Sequence, residues 1–176
     1  MMTQFDLVAM GGTFDIIHDG HMALLIKSFS ISSKVIIGLS SDQLATKRGK
    51  NLSNDYTKRL PLLKDVIEKS FPNSSYEISK LENDFGPAVI EGSVQALVVS
   101  EETSSKGVKL NELRAERNLP SVEIVVVPMI LAKDGKAISS TRIKNSEIDR
   151  SGNLNRQQTC LSLSKWNKTK ILAVVI

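Results

Sequence analysis

The feature that most constrains this chain is a set of short apolar runs that do not alternate with polar residues. Residues 35–39 read Val-Ile-Ile-Gly-Leu and residues 96–100 read Ala-Leu-Val-Val-Ser, with 5–10 and 122–127 nearly as apolar and 76–81 a weaker fifth run. A strand with one face in water shows a polar residue at every second position. A continuous run of strand length must therefore be covered on both faces. The segments between the runs have helical spacing. Residues 21–30 turn Met22, Leu25, Ile26 and Phe29 to one side, and 55–71 do the same with Leu60, Leu63, Ile67 and Phe71. A third helical stretch, 106–118, is closed by Pro120. Proline has no N–H to give a helix, so Pro61 fits the second segment only if it falls in the first turn. Residues 40–54, with Lys47, Arg48, Gly49 and Lys50, read as a polar loop. Strands and helices in this alternation predict an α/β fold, a doubly wound parallel five-stranded sheet with helices on both faces.

Ligands on such sheets bind beyond the carboxyl ends of the strands. The first run ends in Gly11-Gly12-Thr13-Phe14-Asp15-Ile16-Ile17-His18-Asp19-Gly20-His21, which holds both histidines of the chain. Glycine lets the backbone approach a phosphate closely. A helix N-terminus adds free N–H groups and the positive end of its dipole. Histidines three residues apart in the first turn project toward one volume. This order of residues predicts a nucleotide site.

The formal net charge is +4, and it is not spread over the chain. Residues 151–176 contain Arg156, Lys165, Lys168 and Lys170 and no acid, which leaves residues 1–150 neutral. A neutral body with a short basic tail argues against nucleic acid as a partner, because a nucleic-acid binder gathers its cations into a face or stripe. The expected organisation is one domain over 1–150 and a basic, polar tail over 151–176. The tail ends in a strand-like apolar run, 171–176, through which the chain is expected to pair with its own sheet edge or form a homo-oligomer. That run is too short to span a bilayer, so no membrane partner is expected. The single cysteine, Cys160, cannot form an internal disulfide, and no signal peptide is read before the first strand. Together these predict a cytoplasmic protein.

The eleven-residue stretch resembles the T/HxGH signature of the nucleotidyltransferase superfamily in the form GGTFDxxHxGH. Ile138-Ser139-Ser140-Thr141-Arg142-Ile143-Lys144 resembles that superfamily's ISSTxIR element. Three further stretches resemble the archaeal and eukaryotic type of phosphopantetheine adenylyltransferase. They are Val98-Val99-Ser100-Glu101-Glu102-Thr103, the spacing of Asn111, Arg114 and Leu119, and Glu147-Ile148-Asp149-Arg150-Ser151-Gly152. Tyr56-Thr57-Lys58-Arg59 keeps the aromatic and the arginine of the family's PYEER element, and Asn83-Asp84-Phe85-Gly86-Pro87 stands where the family has D-P-Y/F-G-P. Alternatives within the superfamily are a glycerol-3-phosphate cytidylyltransferase and an FAD synthetase. Outside it, the alternative is a nucleotide-binding module without chemistry.

The resemblance implies adenylyl transfer from ATP to 4′-phosphopantetheine. His21, His18, Thr13 and Lys50 become the catalytic candidates, with Lys47 an alternative to Lys50. Gly11, Gly12, Thr13, Phe14, His21, Glu101, Ser139, Ser140, Thr141 and Arg142 become candidates for binding ATP. Thr13, Lys50, Arg59 and Arg114 become candidates for the acceptor. Mg²⁺ is expected to be held mainly by the ATP phosphates, so no protein ligand is assigned to it, Asp15 and Asp19 included.

Overall fold

A computed structural model describes residues 3–155. Five strands, β1 (Phe5–Gly12), β2 (Ser32–Ser40), β3 (Ser75–Leu81), β4 (Ala96–Ser100) and β5 (Glu123–Val127), form one parallel sheet in the order β3-β2-β1-β4-β5. The chain starts in the middle, builds outward to β3, then crosses to the other side of β1. The junction of β1 and β4 is the switch point where such sheets bind ligands.

The non-alternating runs are buried on both faces. Val8 and Met10 of β1, Val35 and Ile37 of β2 and Val98 of β4 pack on one side against helix α1 (Asp19–Ile31) and helix α3 (Tyr56–Ser70), through Leu25, Leu63 and Ile67. Their neighbours Ala9, Ile36, Leu97 and Val99 pack on the other side, where α4 (Pro87–Ile90) and α5 (Ser105–Glu116) contribute Ala88 and Leu110. Gly107 lets α5 lie close on the sheet, since a Cβ there would stand 2.5 Å from the Ile124 side chain. The doubly wound sheet with helices on both faces is as the apolar runs predict.

Two local expectations need correction. The polar loop contains a short helix, α2 (Asp42–Lys47), capped by the Ser41 hydroxyl, which accepts the Leu44 N–H at 3.1 Å. Pro61 lies in the second turn of α3, not the first. The carbonyl it leaves without an N–H partner belongs to Thr57, and both residues are exposed, so water is available to it.

After β5 the chain folds back over the carboxyl ends of the strands. Ala132, Ile138 and Ile148 make a small core of their own, joined by bridges between Leu131 and Ala137 and between Ile148 and Leu154. Helix α6 (Ser140–Lys144) lies in this segment. Two hydrogen bonds moor it to the start of α1, from the Asp19 N–H to the Arg150 carbonyl (3.1 Å) and from the Ser140 hydroxyl to the Ile16 carbonyl (3.1 Å). Ordered contacts run past residue 150, as far as the Asn155 N–H on the Glu147 carbonyl. Cys160, the basic residues from Arg156 onward and the apolar run 171–176 lie outside the described residues.

Candidate active site

A cleft of about 280 Å³ opens at the carboxyl ends of β1, β4 and β5. Both histidines line it, and their backbone roles fix their chemistry. His18 is the N-cap of α1, and its Nδ1 accepts the Gly20 N–H at 3.1 Å. His21, in the third helical position, turns its own Nδ1 back onto the His18 N–H at 3.3 Å. This reciprocal capping box is built from two imidazoles, where a hydroxyl and a carboxylate ordinarily serve. A nitrogen that accepts a hydrogen bond carries no proton, so in both rings the proton is on Nε2. The rings stack with centroids 3.9 Å apart. Burial pushes the His18 pKa down to about 4. Burial, with the nearby His18 and Lys50, pushes that of His21 down to about 3. Near neutral pH the site therefore presents two neutral Nε2–H donors. The capping also explains why α1 begins at Asp19, two residues before the expected start.

The backbone before the pair is strained. Phe14 has φ of +50°, a left-handed conformation that costs a non-glycine residue on the order of 1 kcal/mol or more. It is retained because the ring is only 1% exposed and packs 4.8 Å from the His21 ring. Asp15 is buried beneath the cleft floor. Its carboxylate accepts the N–H groups of Ser53 (2.9 Å) and Asn54 (2.8 Å) and pairs with Lys144. Burial would raise its pKa, but Lys144 and the two amides outweigh that and hold it below the usual carboxylate range. Asp15 thereby ties the loop carrying Lys50 to the segment carrying α6.

Gly11, Gly12, Thr13, Phe14, His18 and His21 all line this cleft, and so do Lys50, Ser139, Ser140 and Thr141; Lys47 does not. The Ser139 hydroxyl accepts the Arg142 N–H as the cap of α6. Four of the sequence candidates are placed elsewhere. Arg59 is fully buried, and it donates to the carbonyls of Asn54, Thr13 and Ser40 and to the Asp42 carboxylate at 2.7–3.0 Å. Arg114 is equally buried at the amino ends of β4 and β5, away from the cleft, and donates to the carbonyls of Ala88, Glu91, Val94 and Pro120. Neither guanidinium is available to an acceptor phosphate. Arg142 is held by Glu147, Asp134 and the carbonyls of Lys136 and Ala137, and does not line the cleft. Glu101 is exposed in a 3₁₀ turn, and Glu102 beside it reaches the cleft wall instead.

Sequence reasoning missed three cations of the cleft, Arg48, Lys106 and Lys144. Lys144 was legible, since it occupies the basic last position of the ISSTxIR-like element, where Arg142 occupies a variable one. Arg48 and Lys106 gave no local signal. Among the described residues, no group of three or more His, Cys, Asp or Glu is placed to hold a metal ion, and no helix is long and apolar enough to cross a membrane.

A switch-point cleft floored by two capped imidazoles and walled by lysines and a serine-rich helix start defines a nucleotidyltransferase-like class, and comparison with known proteins agrees. The Cytidylyltransferase-like family model matches residues 9–146. The chain is 41% identical to the phosphopantetheine adenylyltransferase of Methanosarcina acetivorans, over 85% of this chain and 96% of that one. It is 40% identical to that of Pyrococcus horikoshii, over 86% and 96%. Among solved structures, a protein of unknown function from Archaeoglobus fulgidus superposes with a TM-score of 0.62 at 29% identity, covering 70% of this chain and 89% of that one. The chain belongs to the phosphopantetheine adenylyltransferase family within the cytidylyltransferase-like proteins.

Proposed function

We propose that this chain transfers the adenylyl group of ATP to 4′-phosphopantetheine, giving dephospho-coenzyme A and pyrophosphate. The observation that carries the reading, in a chain of this family, is the pair of neutral Nε2–H donors lining a cleft at the sheet's switch point. A phosphate oxygen of the acceptor attacks the α-phosphorus of ATP in line. The new P–O bond forms as the bond to the β-phosphate bridging oxygen breaks, and pyrophosphate leaves. The nucleophile is already anionic, so the step needs no general base. Rate comes from positioning and from donors preorganised where charge develops. His18 and His21 donate to the triphosphate, His21 nearest the reacting phosphorus. Thr13 stands between the substrates, Lys50 neutralises the incoming phosphate, and Ser139, Ser140 and Thr141 bind the outer phosphates together with Lys144.

Mg²⁺ fits the site as a companion of the nucleotide. Asp15 is committed to Lys144 and two backbone amides, which leaves phosphate oxygens as the metal's principal ligands. Bound there it would supply charge neutralisation on the triphosphate. The reaction belongs in the cytoplasm, in keeping with a single cysteine.

The test is direct. The purified protein with ATP, Mg²⁺ and phosphopantetheine should release pyrophosphate and form dephospho-coenzyme A. Turnover of glycerol 3-phosphate with CTP, or of FMN with ATP, together with silence on phosphopantetheine, would overturn the assignment. Tight ATP binding with no turnover of any acceptor would make the chain a binding module.

A further inference from the structure

A second cavity of about 90 Å³ lies behind the cleft, under the carboxyl ends of β1 and β4. Its walls are largely apolar, with Met10, Ile36, Leu81, Phe85 and Leu97 among them. The two cavities share one stretch of wall made by Gly11, Leu24, Arg48, Ser100, Thr103 and Lys106. That neck carries two cations and no acid of its own.

The polar groups of the neck are not equally free. Arg48 is locked, with Nε and Nη2 on the Asp84 carboxylate at 3.0 and 2.6 Å and Nη1 on the Ser40 hydroxyl at 3.2 Å. The hydroxyls of Ser100 and Thr103 bond each other at 3.0 Å. Lys106, in the first turn of α5, forms no hydrogen bond or ion pair among the described residues, although it is half-buried. A half-buried ammonium without a partner is costly unless an anion comes to it.

We propose that Lys106 is a substrate-binding residue that holds the terminal phosphate of the acceptor at the neck, with the neutral arm of the acceptor in the apolar cavity. This rests on the adenylyl-transfer reading above. The neck is where an acceptor reaching out of the small cavity meets a nucleotide lying on the histidines. Arg48, fixed by Asp84, backs the site with charge, and Lys50 stands on its nucleotide side. The surroundings agree. Burial and then the charge of Arg48 depress the Lys106 pKa, Asp84 pulls against them, and Lys50 and Glu102 add smaller shares of opposite sign. A bound phosphate relieves that crowding. The requirement for a phosphorylated arm is thereby written into one side chain that no motif marks.

The test compares phosphopantetheine with pantetheine, which differs only by the phosphate, on the wild-type protein, Lys106→Met and Lys106→Arg. Calorimetric binding of both compounds is measured beside steady-state kinetics. Losing one charge-assisted contact should weaken phosphopantetheine binding, and raise its KM, roughly tenfold to a hundredfold in Lys106→Met. Pantetheine affinity and the KM for ATP should stay unchanged, and Lys106→Arg should recover most of the loss. Equal weakening of both compounds, an unchanged phosphopantetheine affinity, or a loss confined to ATP would each overturn the proposal. If the wild-type protein binds phosphopantetheine without adenylylating it, the assigned reaction fails, while the affinity ratio still judges Lys106. If it binds neither compound, both readings fall.

Discussion

Both ends of the sheet are closed by a caged arginine, and among the described residues only the carboxyl ends add cations that are left free. At the amino ends of β4 and β5, Arg114 closes the structure, its guanidinium wrapped in four carbonyls from the segments around α4 and before β4 and β5. At the carboxyl ends, Arg59 does the same directly under the cleft, where it joins the end of β1, the end of β2, α2 and the start of α3. Above it the cleft is lined by Lys50 and Lys106, which form no ion pair among the described residues. The fixed five-donor fork of arginine suits a cage of carbonyls, and the single mobile charge of lysine suits an anion that comes and goes. Arginine builds this site, and Lys50 and Lys106, with the histidines, are left to work in it.

The comparison breaks most sharply at Arg59. Removing it leaves three carbonyls without that donor, one of them on Thr13 in the glycine-rich turn, while Asp42 keeps the Tyr56 N–H. Arg59→Met should destabilise the fold by about 2–4 kcal/mol, since each buried carbonyl left without its donor costs on the order of 1 kcal/mol or more. Chemical denaturation should show the loss as a lower midpoint. Arg59→Lys should recover little of it, because an ammonium cannot span four acceptors. A variant of normal stability that had lost only acceptor affinity would return Arg59 to the role of a phosphate ligand.

The working side of the comparison is tested at the imidazoles. Each is held by its Nδ1 and carries its proton on Nε2, on a ring that lines the cleft. Removal of one preorganised donor costs on the order of a hundredfold to a thousandfold in kcat. His21→Ala should fall in that range with little change in the KM for ATP. His18→Ala should be milder in rate, although it also removes the cap of α1. The two losses should not add, since the rings stack on each other and face one triphosphate. A His21→Ala protein with near-normal kcat and only a raised KM would make the imidazoles ground-state binders.

How far the sequence discloses all this follows from where each signal resides. The sheet was legible because burial on both faces leaves continuous apolar runs, and these need no partner to be recognised. The histidines, Thr13 and the serines of α6 were legible because their spacing resembles known signatures, whereas Lys50 stayed open against Lys47 until the fold put only Lys50 on the cleft. The roles of Arg59, Arg114 and Arg142 were not. Nearly all the partners of Arg114, and most of those of Arg59, are backbone carbonyls, which leave no mark in a sequence. A buried structural arginine and a phosphate-binding one are the same letter in the same motif. Helix α2 was invisible because it is six residues long and buries only Leu44 and Ala45, too little for a period to show. Lys106 reads as a solvated residue of an amphipathic helix until the crossover from β3 to β4 brings Asp84 and the loop of Arg48 over it.

The smallest of the expected effects concerns pH, and it separates the histidine pair from every other charge in the cleft. Both imidazoles have folded pKa values, about 4 and about 3, below the ordinary value of 6.5 that each regains on unfolding. Between those limits the unfolded chain binds more protons than the folded one, so stability rises with pH there. The stabilisation is complete above pH 6.5 and is lost as the pH falls toward 4. Geometry supplies the reason. A proton on Nδ1 of either ring would point at the very N–H, of Gly20 or of His18, that the nitrogen now accepts. Going from pH 7.5 to 5.5 should cost about 1 kcal/mol for each imidazole. A His18→Asn, His21→Gln double variant should be nearly flat over that interval. Asp15 is depressed in pKa as well, but from a lower ordinary value, 3.8, so its contribution is intact over this interval and fades only as the pH falls below about that value. If the wild-type protein were as stable at pH 5.5 as at 7.5, the rings would already be accommodating a proton. The two neutral donors on which the catalytic reading stands would then have to be replaced by a cationic pair.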